Sequence, residues 1–272
     1  MHYTGHQMQP TALRSNHREQ EILKELRLAG GSCRVGYLAK RLGVTDETVR
    51  RNIRALQDKS QVRKVHGGVL LVEDLTLTEQ PFLARMDKNA TAKRQLAAKL
   101  AEMIEDGDSL FLDIGSTSAF AALALRDHRN LYIVTNSITV ANTLAARNGN
   151  RVFFAGGELR AHDGGAFGQD AINFIRRFNV QYAVFSAGAI NGETGFMLHD
   201  LQEADLLFEA AKRAQTRIIL ADSSKFELRA PIAITAQSGF DILITERPPP
   251  TPIMGMLAGN EISLVLAGLE KE

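Results

Sequence analysis

Arg50, Arg51 and Arg54 fall beside a run of apolar residues whose spacing is helical. Val49, Ile53 and Leu56 recur at three and four residues and share one face. That leaves the guanidinium groups on the other side, where their paired N–H donors suit phosphate oxygens and guanine edges. Arg63, Lys64 and His66 follow within one short stretch, ahead of Gly67-Gly68. A second set of residues suits a small anion. Gly115-Ser116-Thr117 precedes a helix and offers amides, hydroxyls and a helix dipole. Lys225 adds a point charge, and Arg160 a bidentate donor. Paired carboxylates for acid–base work would have to be Asp113 and Asp222. An Asp at a strand end more often caps the next helix or orients a lysine. His162 and Asp163 have no nucleophile beside them. The remaining histidines lack metal-ligand spacing. No catalytic set, metal site or cofactor is expected.

The elements that must position these groups fall into two parts. Ser15 or Asn16 opens a helix carrying Ile22, Leu23 and Leu26, and Gly30-Gly31 stops it. A short helix from Arg34 to Leu42 ends at Gly43. Thr45 then caps the arginine-bearing helix, on which Thr48 also stands. Val62 to Val72 reads as two strands about a glycine turn. Helix, short helix, glycine turn, helix and hairpin is the order of a winged helix-turn-helix. Leu75 to Pro81 reads as a linker and Thr91 to Ile104 as an amphipathic helix. Seven apolar runs then alternate with helices: 109–114, 131–135, 151–155, 182–187, 217–221, 241–245 and 262–267. Such alternation predicts an α/β domain with a mostly parallel sheet covered on both faces. Ligands of such sheets bind beyond the carboxyl ends of the strands, where Asp113–Ser118, Thr135–Ser137, Ala155–Glu158, Ser186–Gly188 and Asp222–Lys225 lie. The expected organisation is a flexible segment 1–15, a DNA-binding domain 16–72, a linker 73–90 and an effector domain 91–272.

Charge divides the chain at the same place. Residues 1–72 hold 13 Lys+Arg against 6 Asp+Glu, a surplus of +7, whereas residues 73–272 hold 19 against 25, or −6. A basic head on an acidic body directs only the head toward a polyanion. With 44% apolar and 23% charged residues the composition is that of a globular protein able to bury a sizeable core. One cysteine, Cys33, excludes an internal disulfide and fits a reducing cytoplasm. No apolar run reaches about 18 residues, so neither a membrane span nor a signal segment is expected.

These motifs together carry a resemblance. VTDETVRRNIRAL with RKVHGG, Arg85, Asn89 and Lys93, DGDSLFLDIGST, VTNS, AGGELR and ADSSKF are similar to the DeoR family of bacterial transcriptional repressors, from about Asn16 to Leu266. AGGELRAHDGGAFG, DSSKF and TERPPPTPIM are most similar to its glycerol-3-phosphate regulon repressors. The resemblance implies a sensor domain similar to ribose-5-phosphate isomerase that binds a phosphorylated sugar or polyol as inducer. It implies effector contacts at Ser116, Thr117, Asn136, Gly156, Gly157, Arg160 and Lys225, with Asp113 and Asp222 shaping the pocket and Lys212 a further candidate. It implies DNA contacts at Thr45, Thr48, Arg50, Arg51, Arg54, Arg63, Lys64 and His66, and a homodimer or homotetramer on double-stranded operator DNA. Asn52, Ile53 and Ser60 stand where the family usually has Asp, Leu and Gly. An isomerase or transferase carrying a DNA-binding head is the alternative. The acidic pair of the isomerases has no match near Gln181 to Gly188.

Overall fold

The structure is a computed structural model and describes residues 17–29, 32–59, 61–65, 68–71, 79, 81–235 and 239–268. It forms two compact units, divided between Glu73 and Asp74. His66, Ser60, the expected cap at Ser15 or Asn16, the stop at Gly30-Gly31 and the segment 1–15 lie outside the described residues.

The first unit runs α1 (His17–Leu28), β1 (Ser32–Arg34), α2 (Val35–Leu42), α3 (Asp46–Asp58), β2 (Val62–Val65) and β3 (Gly68–Leu71). Ile22, Leu26, Leu38, Val49, Ile53 and Leu56 close a core in which Val62 and Val69 of the hairpin also take part. Gly43 ends α2 at φ 62°, a left-handed turn that costs glycine no Cβ clash. Thr45 then caps α3, its Oγ1 accepting from the amide of Thr48 at 3.3 Å. The strand β1 has no counterpart among the expected elements. It pairs antiparallel with β3 and makes a three-stranded sheet of order β1-β3-β2. Three residues with a single apolar member leave no period to read.

The second unit begins with α4 (Phe82–Asp87) and α5 (Ala90–Ala101), so the stretch expected as linker contains a helix. A seven-stranded sheet follows. Its members are β4 (Ser109–Leu112), β5 (Tyr132–Thr135), β6 (Arg151–Phe154), β7 (Val180–Ser186), β10 (Ala214–Leu220), β12 (Ile242–Thr245) and β13 (Ser263–Leu266). Every pairing in it is parallel, and the order is β13-β12-β10-β7-β4-β5-β6. Alternate residues feed two cores. Leu110, Leu112, Ile133, Val184, Ile218, Leu220 and Ile244 face one layer, and Phe111, Val134, Phe185, Ile219 and Leu243 the other. Burying each such side chain contributes roughly 1.5–3 kcal/mol before ordering costs. The helices α6 (Ser116–Ala124), α7 (Ile138–Leu144), α8 (Gln169–Ile175), α9 (Leu201–Ala211) and α10 (Thr251–Gly259) supply the connections. The strands β8 (Ala189–Asn191), β9 (Gly195–Leu198) and β11 (Ile232–Ala233) form a small antiparallel sheet of order β11-β9-β8.

The strand order reverses between β4 and β7, the first and fourth strands of the large sheet. Loops leaving their carboxyl ends diverge there and open a crevice. Asp113 and Asp222 do not follow adjacent strands, because β7 lies between β4 and β10.

Candidate functional site

In the first unit, α3 buries Val49, Asn52, Ile53 and Leu56. Arg50, Arg51 and Arg54 are exposed on its far side, and Arg63 and Lys64 are exposed on β2. None of these five forms an ion pair or hydrogen bond among the described residues. Two other cations of the unit are occupied: Arg41 meets Glu25 at 2.9 Å and Lys59 meets Glu19 at 2.6 Å. Arg50, Arg54 and Lys64 line one groove between α3 and the hairpin, with Glu47 as its acidic member. A polyanion is the partner that such unneutralised charge favours. Thr48 shares its hydroxyl with Thr45 at 3.0 Å, so both threonines are engaged in the helix cap. Asn52 turns inward and donates to the carbonyl of Thr48 at 2.8 Å, inside its own helix. It therefore braces the helix from its buried side.

In the second unit, the crevice at the strand reversal holds a cavity of about 110 Å³, where one water requires about 10–15 Å³. Asp113 ties its floor together. It accepts from the amide of Ser186 at 2.8 Å, from that residue's hydroxyl at 3.1 Å, and from the hydroxyl of Ser118. Loss of hydration pushes its pKa up to about 6 against those hydrogen bonds. Gly115 lets the two loops meet, since a Cβ there would collide with the Ser186 hydroxyl. Ser116 and Thr117 open α6 beside the cavity, and no side chain caps that helix. Lys93 of α5 donates to Ser116 Oγ at 2.9 Å and to the carbonyl of Arg85. Burial lowers its pKa to about 8, with Asp222 opposing. Lys225 is also drawn down by burial, and its ammonium makes no hydrogen bond or ion pair among the described residues. Asn89, left-handed at φ 55°, donates to Asp222 at 2.9 Å and to Ser224 at 2.8 Å. It joins the start of α5 to the loop after β10. Among the described residues, Lys93, Lys225, Lys88 and Arg85, the last paired with Glu79 at 2.6 Å, face the cavity with Glu79 and Asp222 as its carboxylates. Such a surplus of donors and positive charge fits a phosphate.

The order of parts, a basic helix-turn-helix with hairpin and then a parallel sheet with an anion crevice, is matched by two family descriptions. Residues 18–74 match the DeoR-like helix-turn-helix domain, and residues 88–247 match the DeoR C terminal sensor domain. The chain belongs to the DeoR family. It is 32% identical to the glycerol-3-phosphate regulon repressor of Escherichia coli (strain K12), over 84% of this chain and 90% of that protein. It is 31% identical to the HTH-type transcriptional repressor CsqR of the same organism, over 95% of this chain and 98% of that one. Among solved structures, ribose 5 phosphate isomerase A from Neisseria gonorrhoeae aligns at 17% identity and a TM-score of 0.36, over 50% of this chain and 53% of that one.

Within this DeoR-family sensor the expected effector residues separate into groups. Ser116, Thr117, Asp222 and Lys225 come together around the crevice, with Asp113 beneath. Asn136, after β5, lies outside it in a small neighbouring cavity with Asp113 and Glu203. Gly156 and Gly157 lead into the loop that carries Arg160, which folds back through Arg160 N–H donating to Gly165 at 2.8 Å. Arg160 is not among the residues that line the crevice, and its guanidinium is engaged by Asp163, Glu203 and, at 3.1 Å, Asp200. Lys212 is exposed and two residues before β10, at the amino edge of the sheet.

Arg85, Lys88, Asn89, Lys93 and His199 line the crevice without having been expected there as contacts. One signal did exist for Lys93. It falls in phase with the buried Leu96, Ala97 and Leu100, a charge inside an apolar stripe. Asn52 carries the same signature beside Val49, Ile53 and Leu56. Among the described residues no helix is long and apolar enough to cross a membrane, and no group of three His, Cys, Asp or Glu is arranged for a metal ion.

Proposed function

We propose that the protein is a DNA-binding transcriptional repressor of carbon-metabolism genes, released from its operator by a phosphorylated sugar or polyol. The observation that carries this reading is the presence of two sites with surplus positive charge in one DeoR-family chain: five exposed cations on α3 and β2, and a crevice with four cations against two carboxylates. Arg50, Arg51 and Arg54 read and hold the major groove, while Arg63, Lys64 and His66 grip adjacent phosphates. Thr45 and Thr48 fix the start of α3. In the crevice the uncapped start of α6 takes the phosphate, Lys93 and Lys225 neutralise it, and Asn89 and Asp222 hold the surrounding loops.

The protein acts in the cytoplasm, as a homodimer or homotetramer that reads repeated half-sites, and it turns over no substrate. Two facts support that last point: Asp222 is committed to Asn89 and Ser224, and Asp113 lies under Ser186. The effector shifts the balance between DNA-competent and released arrangements by its difference in affinity for them. Glycerol 3-phosphate, named in the regulon of the Escherichia coli relative, is the first compound to try.

Replacing Arg50 and Arg51 together by Ala should abolish operator binding, at about 1–3 kcal/mol for each base that the pair reads. A gel mobility-shift titration on fragments retained by the wild-type protein reads this directly. Undiminished retardation by the double variant would refute the assignment of α3.

A further inference from the structure

A second cavity, of about 330 Å³, adjoins the phosphate crevice, and Glu79 and His199 border both. Its chemistry is the reverse of the crevice. Glu203 and Asp200 offer carboxylate oxygens, and the guanidinium among its described lining residues, that of Arg160, is already engaged by them and by Asp163. Arg160 also stacks on Phe167, 4.0 Å from the ring centre, so the cluster is fixed in place. Glu203 closes the cavity toward a smaller space that it shares with Asp113, Phe167 and Asn136. There Asn136 spends its amide on the carbonyl of Ala166 at 3.2 Å, while its Oδ1 is fully buried with no donor among the described residues. A buried acceptor without a donor is costly and calls for a hydroxyl or a water. His199, its pKa lowered by burial, stands at the neck.

We infer that the effector site has two lobes, a donor-rich one for the phosphate and an acceptor-rich one for the hydroxyls of a carbon chain longer than three carbons. This rests on the phosphate reading given above and narrows the effector class. The phosphate sits by Ser116, Lys93 and Lys225. The chain passes between Glu79 and His199, and its far hydroxyls donate to Glu203 and Asp200. A three-carbon phosphate fills the first lobe alone. Arg160, rather than binding phosphate, holds the carboxylates of the second lobe apart and oriented.

The test is isothermal titration of the full chain with three probes: inorganic phosphate, glycerol 3-phosphate and the six-carbon glucitol 6-phosphate. Wild type should bind the six-carbon compound at least about tenfold more tightly than the three-carbon one, the factor that one or two net hydrogen bonds supply. Glu203→Gln should bring the two compounds toward parity and leave the affinity for inorganic phosphate within about twofold. Asp200→Asn keeps a good N-cap for α9 and serves as a second variant should Glu203→Gln not fold. Parity of the two compounds in wild type, or a preference that survives in both folded variants, overturns the two-lobed site while leaving the phosphate crevice standing. Binding of none of the three probes defeats the phosphate reading and this inference with it.

Discussion

Lys93 and Lys225 illustrate how far a single residue's role depends on what surrounds it. Each is an ammonium drawn down by burial, and each faces a crevice with more cations than carboxylates. A bound phosphate relieves that imbalance, so the charged forms are the binding forms. Lys93 is lowered to about 8, and its ammonium is lost as pH rises through that value. A phosphomonoester reaches its dianionic form only above about pH 6. Affinity for glycerol 3-phosphate should therefore be highest between about pH 6 and pH 8 and fall above it. Titrations from acid to alkaline pH check this; an affinity still rising well above the Lys93 value would take that lysine out of the site. Lys225→Ala should weaken phosphate binding at least about tenfold, as expected for a hydrogen bond to a charged group of about 1.5–3 kcal/mol. A variant that binds phosphate as wild type does would free Lys225 of that role. Legibility differs between residues for a physical reason. Ser116, Thr117 and Lys225 follow strands directly, so their place at the sheet's carboxyl edge can be read from sequence. The surroundings of Arg160 cannot be read in the same way, because Asp200 and Glu203, which engage it, lie about forty residues further along.

At the scale of elements, the apolar runs are long enough to reveal all seven strands of the parallel sheet, with boundaries that differ by at most three residues. The strands β1, β8, β9 and β11 have two to four residues each, and their pairing partners rather than their own period make them strands. The segment before α5 reads as connecting chain because its six-residue helix α4 is too short for a helical stripe, yet it delivers Arg85 to the crevice. Two junctions between elements can be tested. Gly115→Ala should drive the loop after β4 against the Ser186 hydroxyl and destabilise the sensor by about 1–3 kcal/mol. Urea unfolding followed by circular dichroism reads the loss, and an unchanged midpoint would show that the loops have room. Thr45→Ala removes the cap of α3, at about 0.5–2 kcal/mol. That loss should appear as weaker DNA binding with effector affinity intact.

Across the whole molecule, charge and chemistry are divided between two units. A surplus of +7 over residues 1–72 and −6 over the rest keep a polyanion on one unit, while the other, acidic as a whole, places four cations around a single crevice. DNA affinity should accordingly fall steeply with salt, and Arg63→Ala should reduce the log–log salt slope by about 0.9 if it holds one phosphate. The central claim is that filling the crevice changes what the basic unit can bind. Fluorescence anisotropy of a labelled operator duplex, titrated with glucitol 6-phosphate, tests it most directly. The account predicts release of the duplex from wild type, and no release from Lys225→Ala at the same concentration. Duplex affinity that stays constant while the wild-type crevice is demonstrably filled would contradict it.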